Sequence, residues 1–276
     1  MASQLNSAIG RPLDPKYRSN LFIMVMALAA GAAWFVWKMA TEGLWDEAFF
    51  RAFNAGMAAF LAWALARELD PDRPWTAGVA GIVAASVIGA GPPSLWVTAA
   101  VMLGARVVSR TTGLAPQRGD LIAMVILAAL AGGSDPGLVA GVALGSALVA
   151  DRWLPGGARA IALPFGLAAI AAAVGAAAVW GILRPSPGLP EGPEWVIVAA
   201  AVIGLAALGR PRECRAPCDY RDERVDAGRV RWARLWSVTV AALTFVWLGG
   251  PGLTAGSAVW AALAAVALPT MRRPRT

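Results

Sequence analysis

The chain has 276 residues, 58% of them hydrophobic and 15% charged, with a mean hydropathy of +0.60. A soluble domain carries roughly 25% charged residues, and no polar stretch here is long enough to bury a soluble core; the longest, 209–234, is charged nearly throughout. The net charge of +7 does not point to nucleic acid, because the basic residues flank apolar runs, the placement that orients a membrane protein.

Taken in order, apolar runs fall at about 21–37, 48–66, 75–90, 94–105, 121–132, 137–150, 160–182, 195–209, 235–249 and 253–270. The first follows a polar leader, ends in Trp34-Phe35-Val36-Trp37-Lys38 and precedes further apolar runs, so it reads as a spanning helix rather than a cleaved signal. Turn chemistry separates the others at Gly91-Pro92-Pro93, at Gly132 to Gly137, from Pro185 to Pro193 and at Gly249-Gly250-Pro251-Gly252. The expected fold is an all-α polytopic membrane protein of about ten transmembrane helices in five hairpins. Its parts are an N-terminal cytoplasmic segment 1–20, a transmembrane domain 21–270 with a charged cytoplasmic loop 210–234, and a basic tail 271–276. Runs 121–132 and 137–150 are shorter than the roughly 20 residues a span needs, so this pair either spans or re-enters.

Assigning the N-terminus, the loops 67–74, 106–120, 151–159 and 210–234, and the tail to one face places 21 of the 24 Lys and Arg there with 11 of the 17 Asp and Glu. That basic face is expected to be cytoplasmic, with both termini inside a bacterial or archaeal inner membrane. Tryptophan falls in two belts: Trp34, Trp37, Trp45, Trp96, Trp180, Trp195 and Trp247 near the outer boundary, and Trp63, Trp75, Trp153, Trp232 and Trp236 near the inner one. Trp260 alone lies mid-segment.

Residues 136–143 and 251–258 are identical at six of eight positions, both after a Gly-Gly pair or its near neighbour and both at outer turns. Matching Gly/Pro-broken segments are a sequence pointer to a transporter site, and an Ala/Gly-rich chain also produces such echoes. Gly137, Gly141 and Gly145 form a GxxxGxxxG ridge that Gly252 and Gly256 begin to repeat, suited to helix packing within the chain or against a second protomer or membrane partner. Asp135 is a solvated turn residue if its hairpin spans, and a candidate cation or substrate ligand if it re-enters.

There is no histidine, which removes His-ligated haem and zinc and the Ser-His-Asp class of nucleophiles. Cys214 and Cys218 lack the further Cys or His that a zinc site needs. The segment Asp219-Tyr220-Arg221-Asp222-Glu223-Arg224-Val225-Asp226 has the spacing D-x-x-D-x-x-x-D. On a helix, Asp219, Asp222 and Asp226 would share one face and could hold Mg²⁺ against a diphosphate. It resembles the Asp-rich motif of intramembrane prenyltransferases, which implies Mg²⁺ as cofactor and those three carboxylates as its ligands; otherwise no cofactor is expected. Cys218 stands where that family's first motif begins with Asn, and the other reading of the loop is a solvated charged linker, helical through Glu–Arg pairing. The leading functional expectation is a small transporter-like bundle for a neutral or amphipathic solute, with the prenyltransferase-like enzyme and a non-catalytic membrane subunit as alternatives.

Overall fold

A computed structural model describes residues 7–11, 13–157, 160–185, 188–208 and 213–271. The basic tail Arg272, Arg273 and Arg275 lies outside the described residues. The described chain is all-helical: α1 (Arg18–Thr41), α2 (Trp45–Leu69), α3 (Pro74–Val87), α4 (Leu95–Ser109), α5 (Arg118–Gly132), α6 (Leu138–Ala150), α7 (Ala162–Val179), α8 (Glu194–Leu205), α9 (Ala227–Leu248), α10 (Gly250–Ala255) and α11 (Ser257–Met271). Each apolar run of the sequence carries one of the ten longer helices. By length and composition α1, α2 and α7 suffice to cross a membrane, while 74–90, 95–109, 194–208 and 257–268 are shorter apolar helices.

Local chemistry sets the boundaries. Pro74 sits in the first turn of α3, where its missing N–H costs nothing. Ser94 caps α4 by accepting from Val97 N at 3.3 Å, and Asp226 caps α9 by accepting from Arg229 N at 2.8 Å. Asp120 reaches back to Gln117 N at 2.9 Å in the first turn of α5. Gly91 (φ 138°) and Gly249 (φ 63°) turn the chain where an L side chain would be strained.

Packing is uneven in a way that reveals the layers. Helix α11 is buried almost throughout from Ala258 to Ala267 and lies against α3, α8 and α2. Helices α2, α4 and α6 complete this interior. Helix α7 buries only Ala162, Gly166, Ala169, Ala173 and Ala177, one stripe of small residues against α5 and α6. Its other faces carry Leu167, Val174 and Val179, all exposed, and α1 likewise exposes Leu21, Val25 and Leu28. The periphery is thus apolar where a water-soluble protein would be charged.

Three expectations need correction. Five closed hairpins were expected, yet α3 does not pack on α4, nor α7 on α8. Instead α3 packs on α2 and α11, α4 on α2, α6 and α9, and α8 on α11. The last run was read as one helix, but it breaks at Gly256 into α10 and α11. The charged loop expected over 210–234 is shorter, because 227–234 forms the first two turns of α9.

Candidate functional site

The turns that interrupt the helices converge. A cavity of about 940 Å³ is lined by Ala90, Pro92, Pro93 and Ser94 from the α3–α4 link, by Asp135 and Pro136 from the α5–α6 turn, and by Leu248, Pro251, Thr254 and Ala255 from the α9–α10 break. Phe53, Asn54, Met57 and Leu61 of α2 form one wall, and Trp96 and Ala99 of α4 another. Glu194, in the first turn of α8, completes the lining. The two repeated Pro-Gly segments and the Gly-Pro-Pro turn therefore meet at one place.

The turns are locked together by backbone contacts. Ser94 N donates to Ala255 O at 3.0 Å, and Gly250 N donates to Gly188 O at 3.2 Å. A Cβ at Gly249 would collide with the Gly188 backbone, and one at Gly250 with the Glu194 carboxylate. Glu194 accepts from Thr254 Oγ1 at 3.2 Å and from Glu191 N at 2.9 Å. The buried Asn54 Oδ1 has no hydrogen-bond partner among the described residues. The walls are apolar and aromatic, and among the described residues the charged side chains in the lining are the carboxylates of Asp135 and Glu194. Such a chamber suits an apolar body with an uncharged polar or cationic end.

The opposite end of the bundle is closed by buried ion pairs. Glu68, at the end of α2, is fully buried; it accepts from Arg106 Nε at 2.8 Å and Ser109 Oγ at 3.4 Å, lies 3.5 Å from Arg11, and also takes the Thr111 hydroxyl. Asp151, also fully buried, pairs with Arg110 at 2.7 Å and Arg229 at 2.6 Å. Arg229 further donates to Pro155 O at 2.9 Å and Val108 O at 2.7 Å. Arg110 is the one non-glycine with positive φ among the described residues, and its side chain holds Asp151 and Gly156 O. The N-terminal segment joins this end: Asp120 accepts from Ser7 Oγ at 2.5 Å and Ala8 N at 3.0 Å, and Arg11 bridges to Asp219 at 2.5 Å.

The acidic segment is not a helix. Residues 213–226 fold back with a single antiparallel bridge, Pro217 to Arg224, and dock on the loop after α4 through Asp219 N to Thr111 O and Tyr220 N to Thr112 O. Asp219 is engaged by Arg11, Asp226 caps α9, and Asp222 is exposed, so the shared helical face expected for the three carboxylates does not form. Residues 215 and 216 donate their backbone N–H groups to Asp72, which fixes the fold-back by hydrogen bonds rather than by Glu–Arg pairs along a helix. Among the described residues no group of three or more His, Cys, Asp or Glu is placed to hold a metal ion. Cys214 is buried and Cys218 partly so. Burial, with Asp72 nearby, pushes the Cys214 thiol up to about 11.

Asp135 is exposed at its turn and lines this larger cavity. Gly137 lies against Ala131 O, while Cβ atoms at Gly141 and Gly145 would come within 2.7 Å of Ala128 O and 2.6 Å of Gly166 O, the backbones of α5 and α7. Gly252 abuts Thr244 O of α9, whereas Gly256 lies against Gly252 O of α10 and Trp260 of α11. Sequence reasoning did not single out Glu194, or the pairing of Glu68 and Asp151 with Arg106 and Arg229. The available signal was the position of these residues at the ends of apolar runs, where a charge is either solvated or paired. No protein-family model, curated protein or solved structure matches the chain.

Proposed function

We propose that the protein is a multi-pass inner-membrane bundle that binds an amphipathic solute, neutral or cationic, in the cavity at its outer end and moves it across the membrane. The observation that carries this reading is the convergence of three Gly/Pro turns from separate parts of the chain on one apolar chamber whose charges, among the described residues, are Asp135 and Glu194. Broken helices and irregular backbone are tolerated at membrane depth where they line a cavity. The apolar exposed faces of α1 and α7 support contact with lipid. So do the exposed indoles, with Trp37, Trp45, Trp96, Trp180 and Trp195 toward the outer end and Trp75, Trp153 and Trp232 toward the inner one.

The pairing of Glu68 with Arg106 and of Asp151 with Arg229 joins segments assigned to the cytoplasmic side, so the inner end is closed while the outer chamber is open. That asymmetry suits the outward-facing state of an alternating-access cycle. The α5–α6 turn meets the chamber beside the α3–α4 and α9–α10 turns, which favours a full traverse over a re-entrant hairpin. A metal–diphosphate enzyme would need Asp219, Asp222 and Asp226 together, and Asp219 and Asp226 are already engaged elsewhere.

Purified protein should be screened for thermal stabilisation by matched amphiphiles bearing amine, alcohol or carboxylate ends. Specific binding raises apparent stability. Stabilisation by amines or alcohols, abolished by the cavity-filling Ala99→Phe, supports the reading. Stabilisation by none of them, or an effect unchanged by Ala99→Phe, overturns it.

A further inference from the structure

A second, smaller cavity of about 220 Å³ lies at the other end of the bundle, under the N-terminal segment. Its lining is graded along the helix axes. Phe60, Trp63 and Arg67 fall on one face of α2 at helical spacing, and Met102 and Arg106 lie one turn apart on α4. The apolar members are therefore toward the middle of the bundle and the arginines toward its charged end, over roughly 10 Å from Phe60 to Arg67. Leu13, exposed, forms part of the rim, and Arg11 enters from the N-terminal segment.

The charges do not balance inside this cavity. Arg106 is paired with the buried Glu68, and Arg11 is shared between Glu68 and Asp219. Arg67 has no carboxylate partner among the described residues; it donates to Asn20 Oδ1 at 3.2 Å and lies over the Trp63 ring at 5.0 Å. Stacking on Trp63 and the bond to Asn20 hold its planar guanidinium in place, with donors left for a further acceptor. A fixed guanidinium with spare N–H groups, flanked by two more arginines, is a geometry that receives a phosphate.

We propose that this groove binds a phosphate ester through Arg67, and that the apolar stretch from Met102 to Phe60 makes its carrier an anionic phospholipid rather than a soluble phosphate. The lipid assignment rests on the membrane reading above; the phosphate assignment does not. The acyl chains would lie over the apolar flank of the bundle while the headgroup meets the arginines at the inner interface, the leaflet in which anionic lipids concentrate.

Delipidated protein in neutral detergent should be titrated with phosphatidylglycerol, phosphatidylcholine and inorganic phosphate, with apparent Tm and bound lipid by native mass spectrometry as readouts. The proposal expects phosphatidylglycerol to bind about fivefold more tightly than phosphatidylcholine, the difference one arginine makes at an anionic surface. Arg67→Gln should erase that preference and Arg67→Lys should keep part of it. A shift with inorganic phosphate, lost in Arg67→Gln, keeps the phosphate site and assigns it to a soluble ester. Equal binding of the two lipids with no response to phosphate overturns the proposal on wild-type protein alone, whether or not Arg67→Gln folds. That outcome in protein that is integrated in the membrane leaves the transport reading standing.

Discussion

The buried ion pairs at one end of the bundle make Asp151 a quantitative test. This carboxylate is fully buried and holds two arginines, Arg229 at 2.6 Å and Arg110 at 2.7 Å. Asp151→Asn preserves size but removes the charge, which leaves Arg229, itself 3% exposed, without a counterion. Removing one partner of a buried pair costs about 3–5 kcal/mol. Arg229 keeps Pro155 O at 2.9 Å and Val108 O at 2.7 Å, and Asn keeps one acceptor, so the lower end, about 3 kcal/mol, is expected. At about 2–4 °C per kcal/mol for a chain of this size, apparent Tm in detergent should fall by roughly 6–12 °C. The double replacement Asp151→Leu with Arg229→Met removes the Arg229 charge but leaves Arg110 with only Gly156 O, so it should recover part of the loss. A fall below about 2 °C for Asp151→Asn would show that water reaches this pair, and the inner end would not be sealed.

Gly145→Leu should sharply reduce folded yield, since a Cβ there meets Gly166 O at 2.6 Å and forces α6 from α7, whereas Gly175→Leu, with nothing within 4 Å, should be tolerated; size-exclusion profiles separate the two. Thiol titration at pH 8 should modify Cys218 well before Cys214, whose thiol is held up to about 11, and equal rates would mean that the 213–226 fold-back is open. Asp70 is buried with long pairings to Arg234 at 3.8 Å and Arg73 at 3.7 Å, and burial raises its carboxyl above the ordinary value. The folded state then binds the proton more tightly than the unfolded chain, so this group's contribution to stability grows as pH falls through the raised pKa. The Tm of Asp70→Asn relative to wild type should therefore be highest at neutral pH and decline as pH falls, and a difference that grows on acidification would reverse the assignment.

How much could be read in advance follows from which forces act locally. Helix positions were legible because an apolar run bounded by Pro and Gly leaves the backbone few alternatives; Pro74, Ser94 and the Gly249-Gly250-Pro251-Gly252 break all act within a few residues. Neighbour choice was not legible. Short links suggested that α3 would pack on α4, but burial of Ala77, Ala80 and Ala84 depends on α2 and α11, which the sequence places far away. Extended apolar runs also hid the true start of α9, because Arg229 and Arg234 count as loop residues until Asp151 and Leu69 O supply their partners. The candidate cavity was half visible: Asp135, Pro136 and Pro251 stood out as turn chemistry, while Glu194 and Asn54 join them only through tertiary packing. The acidic segment misled because spacing on an assumed helix says nothing once the backbone folds back on Asp72.

The central claim, a bundle that crosses the membrane with its turn-lined chamber outside and its ion-paired end inside, is tested most directly by side-specific labelling. Ser134→Cys, beside the chamber in the α5–α6 turn, and native Cys218, in the segment docked on the ion-paired end, provide one thiol for each side. Each would be present alone, in intact cells, and exposed to a membrane-impermeant maleimide. Ser134→Cys should be modified from outside, and Cys218 should react only after permeabilisation. Modification of Cys218 in sealed cells, or protection of Ser134→Cys until the membrane is opened, would contradict it.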